Sequence, residues 1–273
     1  KYGTSAGTYN LNASPTYTNA GSYTVYYEVT KANYTTVTGS AVVNISKASA
    51  SISYATASVG KTFGDAPFTN SLTNTGDGAV TYSSSNTNVA TVNATSGEVT
   101  IVGNGSTTIT ATVTDGTNYT YAAKTASYTL SVGTAAMTVS ATGYTGAYDG
   151  QAHGITVTAP AGATVKYGTS AGTYNLNASP TYTNAGTYTV YYQVTKTGFD
   201  TVTGSATVTI TKVDARVVYV NYEFTAKIGE PFDPPYLTLE PSDLAVTYYS
   251  ADKDIATVDA QTGEVTVVAP GQV

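Results

Sequence analysis

The chain has 273 residues, of which only 10% are charged, and its formal net charge is −6. An acidic, charge-poor chain lacks the cationic surface that nucleic acids and anionic membranes attract, so neither is expected as a partner. The absence of cysteine excludes disulfides, thiolate metal sites and cysteine nucleophiles. No apolar run approaches the roughly 18 residues of a membrane span, so no direct membrane insertion is expected in this segment.

Residues 1–47 occur a second time as residues 166–212. Aligned without gaps, 38 of the 47 positions are identical. Self-similarity at a fixed spacing is typical of tandem arrays. The 47-residue sequence is named the type A repeat, and the different sequence that follows each copy is named the type B unit. The spacing predicts that units of the two kinds alternate along the chain.

Two runs of each type A repeat alternate between apolar and polar residues. In the run 187–195, four residues share one parity: Tyr188, Val190, Tyr192 and Val194. In the run 206–211, Ala206, Val208 and Ile210 do the same. Five of the nine differences between the copies fall on the polar parity, and four lie between the runs, at 32–35 and 197–200. A one-residue slip would exchange the faces, so this distribution predicts two strands with inward Val, Tyr and Ile.

The type B sequence also alternates. The predicted strands are 51–58, 78–82, 89–93, 98–102, 106–114 and 125–132, with glycine-containing turns between them. Within them, the predicted inward residues are Ile109, Ala111 and Val113 on one strand and Tyr128, Leu130 and Val132 on another. Residues 245–268 repeat the pattern of 79–102, which predicts a second type B unit. A further strand is predicted at 137–141, followed by a turn at 148–150.

Short strands with turn signals every 8–12 residues, and no amphipathic helical stretch, predict an all-β fold. We expect a tandem array of β-sandwich domains that forms an elongated rod. The predicted domains are 1–48, 49–134, 135–213 and 214–273. The first lacks N-terminal strands and the last lacks C-terminal strands, so we expect the sequence to be a window of a longer repetitive polypeptide. Junctions of about four residues are expected to restrict the movement of neighbouring domains.

The motifs of the type B unit are VTYSSSN at 80–86, VATV at 89–92, GEV at 97–99 and GNG at 103–105, the last leading to ITA at 109–111. The second copy has VTYYS at 246–250, IATV at 255–258 and GEV at 263–265. These motifs resemble the group 2 bacterial immunoglobulin-like domain. Tyr82 and Tyr248 stand where a Trp is common in that family.

The type A unit has YDGQAH at 148–153, YTNAGTYTV at 182–190 and a closing alternating strand that ends at 212. It resembles the tandem MBG/YDG-type repeats of large bacterial surface proteins. Together the two resemblances imply an immunoglobulin-like stalk of a secreted or surface-anchored, adhesin-like prokaryotic protein, located outside the cell. Neither family implies a catalytic residue or a cofactor.

Few side chains are of the types that carry catalysis or bind metal ions. His153 is the only histidine, so neither a Ser-His-Asp set nor a transition-metal site is predicted. Asp252, Asp254 and Asp259 could bind calcium, but the aligned positions of the first type B unit are all Asn, which favours a solvated loop. No catalytic, cofactor-binding or metal-binding residue is therefore predicted, and the protein is not expected to be an enzyme.

Tyr26 and Tyr191 lie on the outward parity of a Thr-rich strand and form a possible interaction surface. They could stack on a sugar ring or form aromatic pairs across the sheet. Three hypotheses follow. The favoured one is a structural spacer whose partners are neighbouring immunoglobulin-like repeats of the same or adjacent chains. The others are a module that binds a cell-surface glycan or a host protein through these tyrosines, and an extracellular filament subunit completed by strand exchange between neighbours.

Overall fold

The computed structural model describes residues 1–219, 223–230, 232 and 237–273. These residues form strands, turns and irregular segments without any helix, so the all-β prediction is confirmed. None of them belongs to a helix long and apolar enough to cross a membrane. The rest of the predicted domain 214–273, namely 220–222, 231 and 233–236, lies outside the described residues.

The strands, in chain order, are β1 Tyr2–Gly3, β2 Gly21–Val29, β3 Val37–Ile45, β4 Ala48–Ala50, β5 Ile52–Tyr54, β6 Ser58–Thr62, β7 Phe68–Thr69, β8 Leu72–Asn74, β9 Val80–Ser84, β10 Ala90–Val92, β11 Glu98–Ile101, β12 Gly105–Val113, β13 Tyr119–Tyr121, β14 Thr125–Gly133, β15 Ser140–Thr142, β16 Tyr144–Ala147, β17 Thr156–Thr158, β18 Thr164–Gly168, β19 Gly186–Thr195, β20 Val202–Thr211, β21 Arg216–Tyr219, β22 Leu237–Glu240, β23 Ala256–Val258 and β24 Val265–Val267. The chain divides into two compact units. Unit 1 is Lys1–Ala141, Val157–Ala178 and Tyr191–Ser205; unit 2 is Thr142–Thr156, Ser179–Val190 and Ala206–Val273.

The first type B unit, in unit 1, is a sandwich of two sheets. One sheet has the order β6-β14-β12-β9 and the other β10-β11-β7. Side chains from both sheets form one buried cluster: Val89, Ala90, Val99, Ile109, Tyr128, Leu130 and Val132. A second cluster joins Ile52 and Tyr121 to the remaining predicted inward residues of β12, Ala111 and Val113. Alternation therefore assigned the faces correctly, and this packing is that of an immunoglobulin-like β-sandwich.

Two predictions about the start of this unit were wrong. Residues 51–58 do not form one strand, because β5 pairs antiparallel with β8 and β6 pairs parallel with β14. The chain changes sheet between them, which alternation does not reveal. The short junction predicted at 49–51 is part of β4, which pairs parallel with β13. The junction is therefore held in a ladder of backbone hydrogen bonds.

The first type A repeat forms a three-stranded sheet with the order β1-β2-β3. β2 and β3 pair antiparallel along their whole length, from Gly21↔Ile45 to Val29↔Val37. The predicted inward parity is present, but only Val25 of this face is buried. Tyr27, Val29 and Val43 are exposed.

The second type A repeat forms equivalent strands, and the inward residues of β19 and β20 are mostly buried. In unit 1, β18 pairs antiparallel with β19, from Thr164↔Thr195 to Gly168↔Tyr191. In unit 2, β16 pairs parallel with β20, from Tyr144↔Val208 to Ala147↔Thr211. Unit 2 also contains the antiparallel pairs β21–β22 and β23–β24.

Candidate interaction surfaces

The structure places the two predicted surface tyrosines at equivalent positions. Tyr26 is opposite Gly3 on β1 and Ser40 on β3, and Tyr191 is opposite Gly168 on β18. Both side chains are half-buried, so part of each ring remains accessible. The neighbouring Tyr192 is buried, as the inward parity predicts. A glycan- or protein-binding role for Tyr26 and Tyr191 stays a prediction.

A different pair of tyrosines forms a conserved geometry in both copies of the repeat. Tyr17 and Tyr23 stack with ring centroids 3.9 Å apart, and Tyr182 and Tyr188 stack with centroids 4.0 Å apart. The hydroxyls of Tyr23 and Tyr188 donate to the carbonyls of Asn19 and Asn184, at 3.0 and 3.2 Å. Reproduction of the stack in two settings indicates that the repeat itself determines it. Sequence reasoning missed this pair, because the first ring of each lies outside the alternating runs.

His153 lies in a small polar cluster of unit 2. Its ring stacks on Tyr144, with centroids 3.6 Å apart, and its Nε2 lies 3.0 Å from Oδ1 of Asp149. The hydrogen bond from His153 holds the pKa of the Asp149 carboxyl below its ordinary value. The backbone of His153 also exchanges two hydrogen bonds of 2.9 Å with Tyr182. The cluster therefore fastens the turn at 148–150 to the strand segment around Tyr182, which is a structural arrangement.

The aspartates considered for calcium cap turns. Asp252 accepts the backbone N–H of Asp254 at 3.0 Å. Asp259 accepts the backbone N–H groups of Thr262 and Gln261, and these bonds lower the pKa of its carboxyl. Among the described residues, no group of three or more His, Cys, Asp or Glu side chains is arranged to hold a metal ion.

A groove of about 500 Å³ opens in the second type B unit. Its lining includes the apolar side chains Val246, Tyr248, Ala256, Val258 and Val265. The aligned residues of the first type B unit form part of its sandwich interior, where β12 pairs with β9. The groove is thus the inner face of this unit.

Asn118 connects the first type A repeat to the type B unit that follows it. Its side-chain Oδ1 accepts the N–H of Ala20 at 2.8 Å, and its Nδ2 donates to Oδ1 of Asn19 at 3.2 Å. Its backbone carbonyl accepts the N–H of Ala48 at 2.8 Å. Lys47 adds a hydrogen bond to the carbonyl of Gly116 at 2.6 Å. Four contacts of this kind, beside the β4–β13 ladder, fix the junction.

A second junction within unit 1 involves the loop 197–200 of the second repeat. Phe63 meets Phe199 edge-to-face, with centroids 5.6 Å apart. Ala135 donates to the carbonyl of Gly198 at 2.9 Å and accepts the N–H of Asp200 at 2.8 Å. In the first repeat the equivalent loop, 32–35, carries Tyr34 with 69% of its surface exposed. The four loop differences between the copies therefore coincide with a contact that only the second copy makes in the described chain.

Comparison with known families identifies two segments. Residues 69–117 match the model of the intimin immunoglobulin-like domain, and residues 237–273 match that of the bacterial Ig-like domain, group 2. Both describe immunoglobulin-like modules of the kind found in surface proteins. The group 2 resemblance is thereby confirmed for the second type B unit. The resemblance of the type A unit to MBG/YDG-type repeats stays a prediction.

Solved structures with partial likeness are cadherin ectodomains. The protocadherin GammaB4 extracellular domain is 14% identical with a TM-score of 0.33, over 92% of this chain and 49% of that chain. Human CDH23 EC21-23 is 12% identical with a TM-score of 0.33, over 79% and 88% of the two chains. This chain thus spans about half of the protocadherin. No curated protein matches the chain at a significant level.

Proposed function

We propose that this chain is a structural spacer segment of a secreted or surface-anchored, adhesin-like prokaryotic protein, without enzymatic activity. The observation that carries the proposal is the fastening of the first junction. A flexible linker would leave residues 47–50 without partners, but here β4 pairs with β13, and Asn118 of the type B unit accepts hydrogen bonds from Ala20 of the repeat and from Ala48 of the junction. Fixed junctions hold neighbouring immunoglobulin-like modules in a constant relative orientation. An array of such modules stays extended, as a spacer requires.

The proposal includes the domain limits 1–48, 49–134, 135–213 and 214–273, the rod-like arrangement, and the assignment of the type A unit to the MBG/YDG-type repeats. The intimin-like and group 2 matches support the surface location. The partners proposed are neighbouring immunoglobulin-like repeats.

Distance measurements between spin labels test the spacer role. The chain has no native cysteine, so Ser40→Cys on β3 and Thr100→Cys on β11, both at exposed positions, label the two sides of the first junction uniquely. A fixed junction gives one narrow distance distribution, and Asn118→Ala broadens it. A broad distribution in the chain with native Asn118 would contradict the proposal.

A further inference from the structure

Tyrosine is the main electron-donating side chain of this protein. The sequence has 25 tyrosines but no cysteine, no tryptophan and one methionine, Met137, which is buried. Cysteine, methionine and tryptophan are the usual competitors of tyrosine for oxidants. A one-electron oxidant that meets the folded chain therefore reacts at tyrosine rings, and the arrangement of those rings determines the product.

Two pairs of tyrosines lie face to face: Tyr17 with Tyr23, and Tyr182 with Tyr188. Their ring planes are 12° and 6° apart, and their ring centroids are 3.9 and 4.0 Å apart. Aromatic rings by themselves prefer offset or edge-to-face packing. A nearly face-to-face stack that forms in both repeats therefore indicates that the backbone of the repeat imposes it.

Hydrogen bonds hold one ring of each stack in place. The Tyr23 hydroxyl donates to the carbonyl of Asn19 at 3.0 Å, and the Tyr188 hydroxyl donates to that of Asn184 at 3.2 Å. The ring of Tyr23 also lies over Gly21, where a Cβ would come within 3.1 Å of it. All four stacked tyrosines are half-buried, so each pair is fixed while part of it stays accessible to an oxidant.

Stacked tyrosines have a defined oxidation chemistry. Loss of one electron and the hydroxyl proton gives a phenoxyl radical, whose unpaired electron is shared with the two ring carbons beside the oxygen-bearing carbon. Two such radicals held in contact form a carbon–carbon bond between these positions, in an effectively unimolecular step. The hydrogen on each bonded carbon then moves to the oxygen and restores the hydroxyl. One hydrogen peroxide accepts the two electrons and two protons and becomes two water molecules.

The first pair encloses the residues that make the first junction. Between Tyr17 and Tyr23 lie Asn19 and Ala20, which both bond to the side chain of Asn118 in the type B unit. A covalent bond between the two rings closes the segment 17–23 and reduces the number of conformations that it can adopt when the junction opens. No disulfide can do this in a chain without cysteine.

We propose that the two stacked pairs, Tyr17 with Tyr23 and Tyr182 with Tyr188, are sites of oxidative modification, at which a peroxidase with hydrogen peroxide couples the two rings into dityrosine. In the first repeat the product is a covalent cross-link that holds the segment 17–23 against Asn118. This consequence for the junction rests on the proposed spacer role, whereas the coupling itself depends only on the stacked geometry.

The experiment treats the full chain with a haem peroxidase and limiting hydrogen peroxide, and in parallel with a ruthenium tris(bipyridine) photo-oxidant and persulfate, which is a small-molecule oxidant. Trypsin cleaves after lysine, so both rings of each pair stay in one peptide, 2–31 or 167–196. Each peptide is expected to become lighter by two hydrogen atoms, to give no backbone fragments between its two stacked tyrosines, and to show the blue fluorescence of dityrosine.

Three comparisons locate the coupling. Tyr17→Phe keeps a ring in the stack but cannot form a phenoxyl radical, so peptide 2–31 is expected to stay unlinked while 167–196 is still coupled. Tyr34→Phe removes a tyrosine with 69% of its surface exposed and is expected to leave both products unchanged. In the urea-unfolded chain the stacks are absent, and the yield at both pairs is expected to fall at least about tenfold.

Amide hydrogen exchange measures the effect on the junction. The N–H of Ala20, which donates to Asn118, is expected to exchange about tenfold more slowly in the coupled chain than in the oxidised Tyr17→Phe chain. Equal exchange of Ala20 in the two chains would overturn the role of the cross-link at the junction.

The coupling itself is overturned by any of three results. The first is that neither oxidant links the stacked pairs, and the second is that coupling is as efficient in urea as in the folded chain. The third is that products of the most exposed tyrosines, Tyr34 and Tyr249, predominate, because exposure and not stacking would then determine the site. A broad spin-label distribution contradicts the spacer role and leaves the coupling unaffected.

Discussion

The side chain of Asn118 accepts a hydrogen bond from the backbone N–H of Ala20, 98 residues earlier in the chain, at 2.8 Å. This bond joins the first type A repeat to the sandwich of the type B unit that follows it. Because the N–H of Ala20 is partly buried, its loss of a partner is expected to be costly.

Asn118→Ala is expected to loosen the first repeat. The variant keeps the backbone bond to Ala48 and removes both side-chain bonds, at a cost of about 1–2 kcal/mol. Limited proteolysis and amide hydrogen exchange of residues 1–47 measure the effect. Both are expected to be faster in the variant than in the native chain. Asn104→Ala, at an exposed position in a turn of the same unit, is the matched control. Equal protection of 1–47 in the two variants would show that the bond has no role in fixing the junction.

Gly198→Asn is expected to disrupt the second junction, although Asn occupies the equivalent position in the first repeat. Asn33 and Gly198 both have positive φ, 71° and 83°, which Asn tolerates. A Cβ on residue 198 would lie 2.5 Å from the Phe63 ring, so the expected cost of about 1–3 kcal/mol comes from overpacking. Asn33→Gly should change stability by less than about 0.5 kcal/mol.

A double-mutant cycle separates the clash from other effects of Gly198→Asn. In a Phe63→Ala background the ring is absent, and the cost of Gly198→Asn is expected to fall by at least half. Urea unfolding of the four proteins supplies the free energies. A cost that does not depend on residue 63 would assign the effect to the backbone instead of the ring.

Thr107→Val is expected to destabilise the first type B unit. Thr107 is a buried polar residue whose hydroxyl accepts the N–H of Asn86 at 2.9 Å and lies 2.9 Å from the hydroxyl of Ser84. Valine has nearly the same shape but leaves these groups without a partner, at a cost of about 1–3 kcal/mol. Thr112→Val, at an exposed position of the same strand, should remain within about 0.5 kcal/mol of the native chain. Amide hydrogen exchange of β12 measures the stability of both variants. Equal stabilities of Thr107→Val and Thr112→Val would contradict the prediction.

The stability of the same unit is expected to fall at alkaline pH. Burial raises the pKa of the Tyr128 hydroxyl from 10.0 to about 12 and also raises the pKa of Tyr54, whose ring meets it edge-to-face. The hydroxyl protons of Tyr54 and Tyr128 are therefore released at a lower pH in the unfolded chain than in the folded chain. The stabilisation is complete below pH 10 and is lost as the pH rises toward 12. Urea unfolding across this interval measures the loss.

Tyr128→Phe tests the cause. The buried hydroxyl of Tyr128 makes no hydrogen bond within the described part of the chain, so its removal is expected to leave stability at neutral pH unchanged or higher by up to about 1 kcal/mol, and to reduce the alkaline loss. Tyr121→Phe removes a hydroxyl that accepts from Gly78 and donates to Asn74, and is expected to cost about 1–2 kcal/mol. An alkaline loss unaltered by Tyr128→Phe would assign it to other groups.

The class of fold and the faces of the long strands can be read from the amino-acid sequence alone. Period-2 alternation correctly assigned Ile109 and Leu130 to the interior, because a strand that packs on one side must place apolar residues at every second position. The internal repeat also identified the two equivalent sheets. These properties are local along the chain, so they can be read from it directly.

Which of these faces are covered, and which contacts hold the junctions beside the repeats, depends on the folded chain. Val29 and Val194 occupy equivalent positions of the two repeats, yet one is exposed and the other buried, because burial depends on what packs against a strand and not on the strand's own sequence. The bond of Asn118 to Ala20 and the contact of Phe63 with Phe199 likewise join residues far apart in sequence. No local pattern marks such contacts, because their partners are chosen by how separate strands pack together in space.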